Sequence, residues 1–166
     1  QGKGVYYFQN GERYEGDYVD GERTGQGIYL YPNGDKYVGQ FSKGWQDGIG
    51  TFTWASGAVY EGSWVRNQRS GKGKYKWANG DEYEGQWKND TAEGEGVLRT
   101  VDGSVYTGNF LNGKEDGKGT IIDKDGKRFE GFFKQGKKDG PFIETDANGK
   151  VIRKGTYRYG RLLDEK

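Results

Sequence analysis

Glu82 and Glu84, two carboxylates two residues apart, are the first candidates for acid–base chemistry in this 166-residue chain. On a strand that spacing puts both on one face, and on a polar face solvated acids are ordinary, so the pair reads as surface charge. Asp123-Lys124-Asp125-Gly126 opens like a calcium loop, but the EF-hand spacing would need acids where Ile121 and Phe132 stand. Gly71-Lys72-Gly73 lacks the Gly-x-x-x-x-Gly-Lys-Ser/Thr form of a phosphate loop. Cysteine and histidine are absent, which removes thiolate ligands, the commonest metal ligand and the one side chain that titrates near neutrality unperturbed. No enzymatic activity, metal or cofactor is expected. Asn89-Asp90-Thr91 is a glycosylation sequon, relevant only to a chain secreted by a eukaryotic cell.

The chemistry that remains is that of rings and charges. Apolar residues make up only 31% of the chain, too little for an ordinary core, while 13 Tyr, 8 Phe and 5 Trp argue against disorder and 32 Gly demand a special use. Basic and acidic side chains number 26 and 25, so no general attraction to nucleic acid is expected. Glu61, Glu82 and Glu84 on the central strands also oppose base stacking there. Residues 118–166 carry 13 basic against 8 acidic side chains, an excess of +5 in a chain of net charge +1. No run approaches the roughly 20 apolar residues of a membrane-spanning helix. The chain starts in mid-repeat without Met, as expected of a piece of a longer array.

The elements that hold these residues come from a period of 23. Tyr14, Tyr37, Tyr60, Tyr83, Tyr106 and Phe129 recur at that interval, each followed two residues later by Gly and two further on by Tyr18, Phe41, Trp64, Trp87, Phe110 or Phe133. Ile152 takes the seventh place. Paired glycines keep the same period, from Gly2/Gly4 through Gly48/Gly50 to Gly117/Gly119, and a turn Gly recurs from Gly11 to Gly149 behind Asn, Asp or Ser. Such turns make hairpins. Read with period two, Tyr14, Gly16 and Tyr18 share one face and Arg13, Glu15 and Asp17 the other, and a glycine between rings leaves bare backbone for a ring to cover. Short loops such as 20–24 join the hairpins. The expected fold is all-β: a solenoid-like meander of seven 23-residue hairpins forming an extended twisted single-sheet rod or trough, about 65 Å long. Residues 1–166 form one array, partial at its N-terminus. A divergent cap and tail spans about 140–166, where Pro141 removes a backbone donor and Ile152-Arg153-Lys154-Gly155 slips the register by one.

The pattern Tyr-x-Gly-x-aromatic, clearest in Tyr83-Glu84-Gly85-Gln86-Trp87-Lys88-Asn89 and Tyr60-Glu61-Gly62-Ser63-Trp64, resembles the MORN repeat over nearly the whole chain. Where that family often has His before the paired glycines, this chain has Thr24, Asp47, Ser70, Glu93, Asp116 and Asp139. The resemblance implies assembly rather than catalysis: a scaffold, cytoplasmic by family habit and associated with cytoskeleton or membrane. Its aromatic groove would receive a helix or peptide, or pair two arrays. The candidate groove residues are Tyr37, Phe41, Trp54, Tyr60, Trp64, Trp77, Tyr83 and Trp87, with the plainer alternative that these rings are simply core. A second expectation is contact with anionic phospholipid through Lys127, Arg128, Lys134, Lys137, Lys138, Arg153 and Lys154, together with Arg158 and Arg161. A third is an accessory array attached to a larger enzyme.

Overall fold

A computed structural model describes residues 2–165, with the side chains of residues 2–163. The described residues contain no helix, and their strands follow chain order in one open antiparallel sheet. Contacts divide the chain into two compact units, Gln1–Ala78 with Trp87–Asp90, and Asn79–Gln86 with Thr91–Lys166.

In the first unit lie β1 (Gly2–Tyr7), β2 (Arg13–Val19), β3 (Glu22–Leu30), β4 (Lys36–Ser42), β5 (Trp45–Thr53), β6 (Val59–Val65) and β7 (Gln68–Lys76). Two kinds of connection alternate. After β2, Asp20 and Gly21 close a two-residue turn with φ of 51° and 79°, both positive as a type I′ turn requires. The expected loop over 20–24 is therefore shorter, and Glu22–Thr24 already belongs to β3. Arg66 and Asn67 close the equivalent turn without glycine, at φ of 44° and 68°. The other connection is a turn such as Tyr31–Gly34, where Gly34 N–H donates to the Tyr31 carbonyl and Asn33 Oδ1 accepts from Asp35 N–H, 3.0 Å in each case.

The paired glycines serve two different needs. Gly48 has φ of 102° and sits where β5 bulges against β4, the register slipping between Gly39/Gly50 and Phe41/Gln46. Gly50 sits beneath the Tyr37 ring: a Cβ there would lie 2.2 Å from the phenol oxygen and 2.4 Å from Cζ. The Tyr37 hydroxyl then donates to the Gln40 carbonyl at 2.8 Å, at the bulge. Tyr14, Tyr60, Tyr83 and Tyr106 repeat this, donating to the carbonyls of Asp17, Ser63, Gln86 and Asn109 at 2.8–3.0 Å. The core is thus a ring laid on bare main chain and tied to it by its hydroxyl, which is why phenol and glycine recur together.

The second unit contains most of β8 (Glu82–Lys88), then β9 (Thr91–Arg99), β10 (Val105–Leu111), β11 (Lys114–Ile122), β12 (Arg128–Lys134), β13 (Lys137–Lys138), β14 (Gly140–Thr145), β15 (Val151–Arg158) and β16 (Arg161–Glu165). Its last repeats depart from the pattern where the sequence does. Phe129 has no hydroxyl, β13 breaks off after pairing Lys137 and Lys138 with β12, and Pro141 lies between that break and the resumed pairing at Ile143. The one-residue slip after Val151 is a bulge: Thr145 faces Val151 while Glu144 faces Arg153, leaving Ile152 exposed and turning Arg153 toward the ring side.

Candidate partner-binding face

The rings of the strand centres are buried. Tyr37, Phe41, Tyr60, Trp64, Tyr83 and Trp87, six of the eight candidates, range from 0% exposure at Tyr37 to 8% at Trp87. Tyr60 meets the edges of Trp64 and Trp87 at 5.1 and 5.2 Å, and both indole N–H groups donate at 3.1 Å to backbone, Trp64 to Gly50 and Trp87 to Gly73. These six are core, with little surface to offer a partner. Trp54 is half-buried and Trp77 is 41% exposed.

Around those two the first unit carries a second, more open set of rings that period-two reading of the strand centres missed. Phe8, Tyr29, Tyr31, Phe52, Trp54, Tyr75 and Trp77 follow one another with centroid separations of 6.1, 4.8, 5.9, 4.5, 5.3 and 4.8 Å. Tyr29 is buried, Trp77 exposed and the rest half-buried. The signal was present: Phe8, Tyr31, Trp54 and Trp77 also lie 23 apart, each opening a turn. In the second unit the same places hold Thr100, Asp123 and Asp146, so this row of rings is confined to the first.

Two guanidiniums lie against the rings. Arg69 stands 5.6 Å from the Trp54 and Tyr75 centroids and 4.7 Å from Trp87, held by its Nε–H to Asp90 Oδ1 at 2.8 Å. Arg23 stands 5.0 Å from Tyr29 and donates to the Gly44 carbonyl at 2.7 Å. The Glu12 carboxylate accepts from the Tyr29 hydroxyl. Burial pushes the Tyr14, Tyr60 and Tyr83 phenols up to about 12, and also raises Tyr29, Tyr31, Tyr37 and Tyr106, so all stay neutral donors near neutrality.

The basic residues expected to meet lipid do not share one surface. Lys127 and Arg153 converge on the buried Glu144 carboxylate at 3.7 and 2.6 Å, in the second unit. Lys138 lies 4.3 Å from the Phe129 centroid and 5.2 Å from Tyr157, its amine pKa lowered chiefly by desolvation. Arg128 pairs with Glu130 at 2.8 Å. Lys134 and Lys137 flank the Gln135-Gly136 turn, and Lys154, next to Arg153 on β15, alternates to the opposite face. Among the described residues no helix is long and apolar enough to cross a membrane. No group of three or more His, Cys, Asp or Glu there could hold a metal ion.

A sheet of hairpins whose tyrosines lie on cross-strand glycine pairs defines a β-repeat array. The chain belongs to the MORN repeat family, whose repeat matches at residues 1–13, 14–36, 37–59, 60–82, 83–105, 106–128 and 129–151. No curated protein matches. Among solved structures the fold is similar to the SAS-4 (dCPAP) TCP domain of Drosophila melanogaster in complex with a proline-rich motif of Ana2 (dSTIL). The TM-score is 0.60 at 14% identity, covering 92% of this chain and 83% of that one. The CPAP G-box domain matches with a TM-score of 0.47 at 16% identity over 99% of this chain and 98% of that one. At 14% identity the likeness to the SAS-4 domain is one of fold.

Proposed function

We propose that this chain is a non-catalytic scaffold module that binds a protein segment on the open ring row of its first unit. The observation that carries the reading is the division of labour among rings. Tyr60, Trp64 and Trp87 are buried and hydrogen-bonded into the sheet, whereas Tyr31, Phe52, Trp54, Tyr75 and Trp77 keep exposed surface in an unbroken row. Half-exposed Trp and Tyr are favoured anchors because they offer large rigid area at small entropic cost. The proline-rich motif bound by the SAS-4 TCP domain gives a precedent for peptide capture on this kind of sheet.

The test is a peptide-display selection run in parallel on the wild-type chain and a Trp54→Ala, Trp77→Ala double variant, both shown folded by circular dichroism. Segments enriched by the wild type and lost from the variant are the expected result. Equal enrichment by both would sink the reading.

A further inference from the structure

Like rings on this row repeat once per hairpin. Two strand spacings make that interval about 9.6 Å, and the paired centroid steps from Tyr31 to Trp54 and from Trp54 to Trp77, which follow a zigzag path, bound it from above. A polyproline II helix makes one turn in three residues and about 9.3 Å. From Tyr31 to Trp77, two intervals, the mismatch accumulates to only about 0.6 Å. An α-helix returns to the same face after seven residues and about 10.5 Å, a drift of about 1.8 Å over the same span. Polyproline II has no internal hydrogen bonds to break and so follows a twisted sheet more readily. A peptide added as a strand would need a sheet edge, and these rings stand on a face.

The polar groups along the row fit such an occupant. Trp64 and Trp87 use their indole N–H groups inside the sheet, but among the described residues the Nε1 groups of Trp54 and Trp77 have no protein acceptor. Carbonyls of polyproline II are unpaired and point outward, so they can accept from indoles. Charge is complementary at one end. The Arg23 guanidinium, over Tyr29, has no carboxylate within ion-pair distance among the described residues, while Glu12 is engaged by the Tyr29 hydroxyl.

Resting on the reading above that this face binds protein, we infer that its occupant is a polyproline II segment lying across the strands. A proline or other apolar residue at every third position seats between successive ring pairs, and an acidic residue lies at the Arg23 end. The ligand chemistry is that of proline-rich, extended chain rather than an amphipathic helix.

The experiment titrates the full chain, by tryptophan fluorescence and calorimetry, with three synthetic peptides of equal length. The first peptide has proline at every third residue and a terminal Asp, the second has the same residues with prolines four apart, and the third is an amphipathic helix. Binding of the first at least about tenfold tighter than the others, lost in Trp54→Ala, Trp77→Ala and weakened several-fold in Arg23→Gln, is expected. Preference for the helix or the four-residue spacing, still lost in the tryptophan variant, overturns the polyproline inference and leaves protein binding standing. If none of the three binds, the polyproline inference falls, and the display selection decides the broader reading separately.

Discussion

Replacing Gly73 by Ala should destabilise the first unit by about 3 kcal/mol, although general considerations point the other way. Alanine in place of glycine restricts the unfolded chain and, where the fold has room, adds roughly 0.4–1 kcal/mol of stability. Gly73 carries no strained φ, so its backbone would accept alanine. The new Cβ, however, would stand 2.1 Å from the Tyr60 hydroxyl oxygen and 2.4 Å from Cε2. Tyr60 is wholly buried between Trp64 and Trp87 and tied to the Ser63 carbonyl at 2.8 Å. Moving the ring forfeits a hydrogen bond of about 1 kcal/mol and loosens two edge contacts of roughly 0.5–1.5 kcal/mol each. Overpacking itself costs about 1–3 kcal/mol. The assay is guanidinium unfolding followed by tryptophan fluorescence, on wild type, Gly73→Ala, Tyr60→Ala and the double variant. Tyr60→Ala alone should cost about 3–5 kcal/mol. In that background alanine at 73 should become neutral or better, a coupling of about 3 kcal/mol. A midpoint unchanged in Gly73→Ala, or an equal loss with and without the Tyr60 ring, would refute the account of this core.

The buried phenols set a limit at high pH. Their folded-state pKa values are raised, to about 12 at Tyr14, Tyr60 and Tyr83, above the unfolded value near 10. Below pH 10 both states keep the proton, and above it the unfolded chain releases protons that the fold retains. Stability should therefore fall from about pH 10 to 12, seen as tyrosinate absorbance rising together with loss of the circular-dichroism signal. At the other end of the chain, Glu144→Gln leaves Lys127 and Arg153 around a neutral side chain. It should lower the stability of the second unit by about 3 kcal/mol, read from its thermal midpoint, with Glu130→Gln on the exposed pair to Arg128 as a near-silent control.

The period, the hairpins and the open antiparallel sheet were legible because each repeat writes its turn glycine and its ring–Gly–ring triplet in one register. The loop over 20–24 was read too long because a glycine pair looks like loop material. Gly25, with φ of 63°, instead accommodates a bulge inside β3, and the real turn needs only Asp20 and Gly21. The ring list mixed two populations, since alternation says which face a side chain takes but not what lies over it. Trp64 and Trp77 are equally aromatic in the sequence and each meets a tyrosine edge. Trp64, however, lies within β6 between Tyr37 and Tyr60 and is buried, whereas Trp77 follows the end of β7 beside Tyr75 and stays exposed. The meeting of Lys127 and Arg153 at Glu144 was invisible for a related reason. The bulge at Ile152 decides which of Arg153 and Lys154 faces Glu144, and net charge cannot record that.

Because each tyrosine lies on glycine main chain rather than in a hole shaped by other side chains, one 23-residue unit is much like the next as a mechanical part. Excising residues 37–59 would bring Lys36 onto Tyr60 and recreate the same ring, glycine pair and hydroxyl tie at the joint. Units can thus be exchanged like cassettes, while the residue that opens each turn, aromatic at Phe8, Tyr31, Trp54 and Trp77 and polar at Thr100, Asp123 and Asp146, is left to spell what the surface reads. Foldability and vocabulary are carried by different letters of the same repeat.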